Sequence, residues 1–157
     1  MSMTDSLLQA ITPAQLTELA QQAESAPRRR AHRLLHQSHA EVVQRLLIAV
    51  APHSYFRPHR HPAAVPWEML LPLRGELELL LFDETGQLES RHRLGGTGLA
   101  LAEVPAQRWH SLYCPTPCLL LEIKPGPYLP ERYVEFAPWA PAEGSPQVAA
   151  YLSRLAG

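Results

Sequence analysis

The amino-acid sequence predicts an all-β domain with one helix at each end. Short apolar runs recur along the chain with turn residues between them, which is typical of a sandwich, jelly roll or barrel. The 16 prolines lie mostly at the ends of these runs and argue against long helices. With 157 residues, the chain fits one domain and can bury a sizeable core.

Charge and hydropathy argue against two kinds of partner. The net charge of −1 offers no electrostatic basis for nucleic-acid binding. No apolar run approaches the roughly 18–20 residues that a membrane span needs. The N-terminus is polar from its second residue and does not resemble a signal peptide. We therefore expect a cytoplasmic protein that binds a small molecule, with no nucleic-acid or membrane partner.

The two helices are predicted from capping residues. Thr12 suits the N-cap, Pro13 the first helical position and Gln15 the last residue of a capping box, so a helix is expected over about 13–24. The second helix is expected to start at Ser145 as its N-cap, followed by an apolar stripe at helical spacing.

Between the helices, the sequence predicts a series of short strands. The first is the β-branched run 42–50, which Pro52 ends. The others are expected near 54–58, 67–74, 76–82, 89–94, 98–104, 108–114 and 118–124. The single domain, 1–157, then consists of an N-terminal helical extension (1–41), a β-barrel (42–125) and a C-terminal loop and helix (126–157).

A basic segment precedes the first predicted strand and contains Arg28, Arg29, Arg30 and Arg33. Such a run is often only a solvated surface. Because arginine presents a planar donor fork to carboxylate or phosphate, the segment could instead bind an anionic group of a ligand. Both interpretations stay open. Surface or capping roles are expected for His32, His36, His39 and His92.

The two cysteines flank a short proline-containing turn. Cys114 and Cys118 are separated by Pro115-Thr116-Pro117. We expect two reduced thiols beside a hairpin turn, because cytosolic proteins rarely keep disulfides. A zinc pair is disfavoured because there is no second cysteine pair, and a redox pair would prefer a two-residue spacing at a helix start.

Three histidines and one carboxylate predict a metal site. His59 and His61 are two residues apart, so their side chains share one face of an extended chain. Glu68 follows, and His110 comes from a later predicted strand. This donor set suits zinc, iron, manganese or nickel and leaves coordination positions open for water or substrate. The alternative is a cluster of barrel-mouth histidines that holds no metal.

Strand alternation also assigns the neighbours of these histidines to faces. Arg60 is expected on the face opposite the histidine pair, in an outward salt bridge. Tyr55 and Arg57 share the parity of the pair, and either could enter the pocket if the strand is unbroken. Trp109 is expected to face away from His110.

Three residues are candidates for catalysis. Glu122 and Lys124 lie on one face of the last predicted strand, and Tyr128 follows as a weaker candidate at the mouth. If Glu122 and Lys124 face inward, they need each other or the substrate as partners, and a shifted pKa would suit either to acid–base catalysis. If they face solvent, they form only a surface ion pair. The inward orientation favours an enzyme, and the outward orientation favours binding alone.

The order of these residues resembles the two motifs of the cupin superfamily, Gly…His-x-His…Glu…Gly and Gly…Pro…His. The matching residues are His59, His61, Glu68 and Gly75, then Pro105 and His110. The resemblance implies a cupin-type double-stranded β-helix, or jelly-roll barrel, in which the three histidines and the glutamate bind a divalent metal. It also implies a homodimer, because cupins commonly pair through strand edges.

A closer resemblance covers nearly the whole chain and is carried by six segments. They are Pro27-Arg28, His36, Val43-Gln44-Arg45, Pro58–His61, Leu121–Tyr128 and Phe136–Pro141. Together they resemble the WbuC-like cupin metalloproteins, which occur in some surface-polysaccharide gene clusters. This resemblance implies a divalent-metal-binding cupin that acts on a small polar molecule such as a sugar derivative linked to surface-polysaccharide metabolism, and it leaves open whether the protein is an enzyme. The alternatives are a metal- and ligand-binding or sensor module without turnover, and an iron-dependent dioxygenase.

Overall fold

The computed structural model describes residues 8–157, in which ten strands form two sheets. The elements are α1 (Pro13–Ser25), β1 (Arg30–Leu34), β2 (Val43–Val50), β3 (His59–Arg60), β4 (Trp67–Arg74), β5 (Leu77–Phe82), β6 (Leu88–Leu94), β7 (Ala102–Pro105), β8 (His110–Tyr113), β9 (Cys118–Pro125), α2 (Pro130–Tyr133), β10 (Glu135–Phe136) and α3 (Val148–Leu155). No helix within this range is long and apolar enough to cross a membrane. The polar start of the chain, on which the signal-peptide expectation depends, lies outside the described residues.

The strand order identifies a jelly roll. One sheet has the order β1-β2-β9-β4-β7, and the other has the order β10-β3-β8-β5-β6. Neighbouring strands pair antiparallel, and several of them are distant in sequence, as with β2 and β9. The prediction of an all-β jelly roll with a helix near each end is confirmed.

Strand β2 is buried on both faces, which explains its uninterrupted apolar run. Leu46, Ile48 and Val50 enter the core between the two sheets. Leu47 and Ala49 face the other way and pack with residues of α1. The alternation of a strand therefore places one segment in two separate apolar clusters.

The terminal helices each pack on a sheet. Helix α1 begins with the predicted capping box: Thr12 Oγ1 accepts from the Gln15 N–H, and Gln15 Oε1 accepts from the Thr12 N–H. Helix α3 packs Tyr151 and Leu155 into a cluster with residues of the second sheet. It begins after the predicted Ser145, because the Ser145 carbonyl accepts from the Val148 N–H in a turn that precedes the helix.

Two strands lie outside the predicted barrel of residues 42–125. Strand β1 occupies the basic segment, and its register with β2 runs from Arg30 opposite Val50 to Leu34 opposite Leu46. Strand β10 joins the second sheet through β3. Strand β1 lies at the edge of its sheet and contains Arg30, His32 and Arg33, so it lacks the apolar run that marks a buried strand.

The strand predicted near 54–58 is absent. Side chains satisfy its carbonyl groups in place of a neighbouring strand: the Tyr55 carbonyl accepts from Arg30, and the Phe56 carbonyl accepts from the Ser111 hydroxyl. The strand predicted at 98–104 is observed only from Ala102, because a turn precedes it in which the Gly98 N–H donates to the Gly95 carbonyl.

The cysteines lie on either side of the turn between β8 and β9, as expected. Cys114 and Cys118 are both free and buried, with 3.6 Å between their sulfur atoms. Both pack in the core between the sheets.

Candidate metal centre

The fold brings together the four side chains that the sequence predicts as metal ligands. His59 in β3, His61 directly after it and His110 in β8 come from the second sheet, and Glu68 comes from β4 of the first. The register places His59 opposite His110. One potential ligand atom from each of the four lies within 4.8 Å of all the others.

A backbone carbonyl orients each imidazole. The Nδ1 atoms of His59, His61 and His110 lie 3.0, 2.9 and 2.9 Å from the carbonyl oxygens of Arg57, Tyr133 and Arg108. Because a carbonyl oxygen only accepts, each Nδ1 carries a proton and each Nε2 is left to face the shared point. Metal-binding histidines are typically held by such partners, which set both the ring orientation and the tautomer.

Glu68 supplies the oxygen of the group. Its Oε2 lies 2.5 Å from His61 Nε2 and 3.3 Å from His110 Nε2. Burial raises the pKa of Glu68, but the adjacent His110 and His61 rings lower it more, so the net pKa is well below the usual range. His110 Nε2 is buried and makes no hydrogen bond of good geometry. A carboxylate and buried nitrogens that face one point fit a bound cation.

The histidines differ in how readily they take up a proton. Burial, with a smaller contribution from His110, lowers the pKa of His59 to about 3. Burial also lowers the pKa of His61, but its hydrogen bond to Glu68 raises it more, and the net shift is upward. The neutral imidazole is the form that binds metal, so His59 is ready for it and His61 must first lose a proton.

The donor set and its spacing fit a divalent metal. Bonds of about 2.0–2.2 Å place the ligand atoms of one ion roughly 3–4.4 Å apart, and the 4.8 Å spread here requires only small side-chain movements. Three imidazoles and a carboxylate are compatible with zinc, iron, manganese and nickel.

Two irregular segments carry the ligands into place. The long connection between His61 and Glu68 forms a loop, closed by the Val65 N–H donating to the Pro62 carbonyl, before β4 begins. Ahead of β8, Gln107 takes a left-handed φ of 62°, and its N–H donates to the His61 carbonyl. Gln107 therefore forms this turn in a backbone conformation that usually favours glycine.

The metal group lines a cavity of about 200 Å³ with a positively charged wall. The charged residues of its lining are Arg28, Arg30, Arg57, Lys124, Glu68, Glu122 and Glu143. Four cations face three carboxylates, and a divalent ion would add two further positive charges. An anionic group would be attracted to this cavity.

Glu122 and Lys124 both face inward and line the cavity. Lys124 Nζ lies 2.5 Å from Glu122 Oε1, and the Lys124 side chain is 14% exposed. The net pKa of Glu122 is raised to about 7. Burial is the main cause and Glu68 adds to it, whereas Lys124 opposes it. Burial lowers the pKa of Lys124, but Glu122 and Glu68 raise it more. Glu122 can therefore exchange a proton near neutral pH.

Tyr128 lies apart from the metal group. Its ring packs against His39 and Tyr133, with ring centroids 5.1 and 4.9 Å away. It lines a second cavity, which Glu122 and Lys124 also line.

Some arginines of the basic segment line the cavity, as expected for binding an anionic group, and others do not. Arg28 and Arg30 line the cavity, and both bind the Glu143 carboxylate, at 2.7 and 3.0 Å. Arg29 points elsewhere, donating to the carbonyls of Glu24 and Pro52. Arg28 and Arg29 precede β1, and Arg29 has a left-handed φ of 58°, so strand alternation does not place them.

Strand alternation correctly predicts the faces on which most sequence neighbours of the metal-group histidines lie. Arg60 faces outward, stacks 4.2 Å from the Trp109 ring centroid and pairs with Glu135 at 2.8 Å. Trp109 points away from His110, into the apolar cluster below α3. Of the two residues that could enter the pocket, Arg57 does so, whereas Tyr55 lies in the same cluster as Trp109 because the strand is broken there.

Comparison with solved structures identifies a cupin fold. A cupin-2 domain protein of Rhodospirillum rubrum has a TM-score of 0.55 at 16% identity, with 82% of this chain and 80% of that chain covered. A protein of Shewanella oneidensis gives 0.54 at 14% identity, covering 68% and 72%. A recombinant oxalate oxidase in complex with glycolate gives 0.54 at 18% identity, covering 73% and 58%.

Sequence comparison places the chain in a family. No curated protein matches its sequence significantly. Residues 11–94, more than half of the chain, match the family described as a domain of unknown function, DUF6016. This chain, a cupin in fold with a group of residues that fits a divalent metal, belongs to the DUF6016 family.

Proposed function

We propose that the protein is a metal-dependent enzyme that binds the carboxylate of a small polar molecule beside His59, His61, Glu68 and His110. The observation that carries this proposal is the charge of the cavity wall, in which four cationic side chains outnumber three carboxylates beside the metal group. A divalent metal held there would orient a substrate oxygen and polarise it.

Arg57 is the side chain best suited to hold the carboxylate. One of its terminal nitrogens donates to the Ala137 carbonyl at 3.0 Å, which fixes the guanidinium. Its Nε is buried and has no hydrogen-bond partner. A buried, charged donor without an acceptor is costly, and an anionic ligand would remove that cost. Arg28 and Arg30 already share Glu143 and are less available.

Glu122 supports catalysis over binding alone. It lines the same cavity, and its raised pKa of about 7 suits proton transfer near neutral pH. Lys124 lies beside it and stabilises the ionised form after a proton has left.

Two resemblances suggest the chemical class of the substrate. The oxalate oxidase with the similar fold was solved with glycolate, a small carboxylate. The resemblance to WbuC-like cupins suggests a sugar derivative linked to surface-polysaccharide metabolism. A sugar acid would carry both a carboxylate and a sugar ring.

A cytoplasmic homodimer is also part of the proposal, and a stable monomer in size-exclusion chromatography would contradict the dimer.

Calorimetric titration of metal-loaded protein with glycolate tests the binding step. We expect glycolate to bind the wild type and to bind Arg57→Gln about tenfold or more weakly, since a buried charged hydrogen bond is lost. Arg93→Gln is the matched control, because Arg93 is exposed on β6 and outside the cavity. If glycolate fails to bind, or if it binds equally well without metal, the proposal is overturned.

Turnover distinguishes an enzyme from a binding module. Metal-loaded protein is incubated with glycolate, oxalate or glucuronate, and products are followed by nuclear magnetic resonance. Product signals that disappear in Glu122→Gln would support the enzyme. Unchanged compounds in all three samples would favour a binding or sensor module.

A further inference from the structure

A second cavity, of about 280 Å³, adjoins the metal cavity. The two cavities share His32, Glu122 and Lys124 in their lining. Alternate residues of β1 line the two cavities in turn. Arg30 lines the metal cavity, His32 lines both cavities, and Leu34 lines the second cavity. The two cavities therefore lie side by side along the inner face of the first sheet.

The wall of this cavity contains an unused hydrogen-bonding group. His36 is 7% exposed, and its Nε2 is buried without a partner. Its Nδ1 lies 2.9 Å from both the backbone nitrogen and the carbonyl oxygen of Arg45. That carbonyl already accepts from the Leu35 N–H, whereas the Arg45 N–H finds its acceptor in Nδ1. Nδ1 is therefore the acceptor, and Nε2 carries a proton with no oxygen to receive it.

The second cavity is electrically neutral where the metal cavity is positive. Glu122 and Lys124 form a pair of opposite charges in the wall that the cavities share. His32 is exposed where the cavities meet, yet partial desolvation and then Arg30, Arg28 and Lys124 lower its pKa to about 4. Nothing in the lining calls for a charged ligand group, so the portion bound here is neutral.

The remaining wall suits a ring. Tyr128 and His39 add two rings to the lining, with their planes tilted by 41° and their centroids 5.1 Å apart. Leu34 and Leu46 add apolar surface. The rim is held in place by the Tyr128 N–H, which donates to the His39 carbonyl at 2.7 Å, and by Gln44 Nε2, which donates to the Glu41 carbonyl at 2.9 Å. A site so anchored loses little freedom when it binds.

We infer that the second cavity binds a neutral, hydroxyl-bearing ring of the ligand, with His36 donating to a ring oxygen and Tyr128 stacking on the ring face. This inference rests on the proposed function, because the carboxylate of the same molecule lies in the metal cavity. The two cavities together select a sugar acid. An apolar ring would leave the His36 N–H unpaired, and a simple small acid would leave the second cavity unused.

Three probes with different rings test this inference by calorimetry on metal-loaded protein. Glycolate carries a carboxylate and no ring, glucuronate adds a hydroxylated ring, and mandelate adds an apolar ring to the glycolate unit. We expect glucuronate to bind the wild type at least about tenfold more tightly than glycolate, as one stacking contact and one hydrogen bond predict. Mandelate should gain less than glucuronate.

Two variants remove the contacts of the ring separately. Tyr128→Leu removes the stacking face. His36→Asn removes the Nε2 donor while its amide oxygen can still accept from the Arg45 N–H. Each should reduce a tenfold preference for glucuronate to about threefold, because one of two contacts remains, and leave glycolate affinity and metal content unchanged, which also shows that the variant is folded. His92→Gln, a histidine on β6 outside both cavities, should keep the wild-type preference.

The outcomes separate this inference from the proposed function. If glycolate binds and glucuronate binds no more tightly, the second cavity is unused and only this inference fails. It fails also if both variants keep the preference, or if mandelate binds as tightly as glucuronate. If no probe binds to metal-loaded protein, the proposed function fails and this inference fails with it.

Discussion

Two groups of three histidines differ in what surrounds their rings. In the metal group, His59, His61 and His110 each donate through Nδ1 to a backbone carbonyl, and the three Nε2 atoms face one point beside Glu68. In the second cavity, the Nδ1 of His36 accepts from a backbone N–H, and two further histidines lie exposed at the rim: His32 and His39.

The difference shows that histidine number does not define a metal site. A ring becomes a ligand when a carbonyl holds the proton on one nitrogen and leaves the other nitrogen free toward a shared point. A backbone N–H in that position reverses the tautomer and turns the free nitrogen into a donor. The first arrangement suits a cation, and the second suits an oxygen of a ligand.

The largest expected effect comes from removing a ligand of the metal group. His110→Ala should lower metal affinity by on the order of 100-fold or more, because the site loses one of four donors. His36→Asn should keep the wild-type metal content, although it also removes a buried histidine. Elemental analysis and titration against a chelator measure both. An equal loss of metal affinity in the two variants would contradict the distinction between the metal group and the histidines of the second cavity.

A smaller effect is expected from pH. The pKa of His61 is raised by Glu68, so metal must displace a proton from this ring, whereas His59 is already neutral. Below pH 6.5, the usual pKa of histidine, His61 is protonated in the metal-free protein, and metal affinity should fall by about one decade per pH unit. Titrations in buffers of different ionisation enthalpy measure the released proton. An affinity independent of pH between 5 and 6.5 would count against this assignment.

The smallest effect is expected at Arg60, between the two histidines of the first motif. It faces outward, over Trp109 and beside Glu135 and Glu84. Arg60→Ala should lower the free energy of unfolding by about 1 kcal/mol, the typical sum of a cation–π contact and exposed ion pairs. Metal affinity should not change. Denaturant unfolding and metal titration test the two statements, and a loss of metal affinity would place Arg60 at the site.

Features set by neighbouring residues were predictable from the sequence. The capping box of α1 depends on Thr12 and Gln15, three positions apart, and it forms as predicted. Strand β4 was predicted with the bounds that the structure gives it, Trp67–Arg74.

Features set by contacts between residues that are distant in sequence were not predictable from the sequence. Strand β1 is stabilised by pairing with β2 and not by its own apolar residues, so its charges suggested a surface segment. The orientation of Glu122 and Lys124 stayed open because strand parity shows that they share a face but not which face is buried. His36 was expected at the surface, and it is buried because β1 and β2 bring it beside Arg45.

By itself, the sequence determined most of the strand series, the cap of α1 and the four side chains of the metal group, because alternation and spacing act over a few residues. Only the tertiary structure decided how those side chains are held and charged. The carbonyl that orients His61 belongs to Tyr133, 72 residues away, and the pKa of Glu122 depends on Glu68 across the sheet. Electrostatics and hydrogen bonding depend on distance in space, which the chain defines only after its sheets have paired.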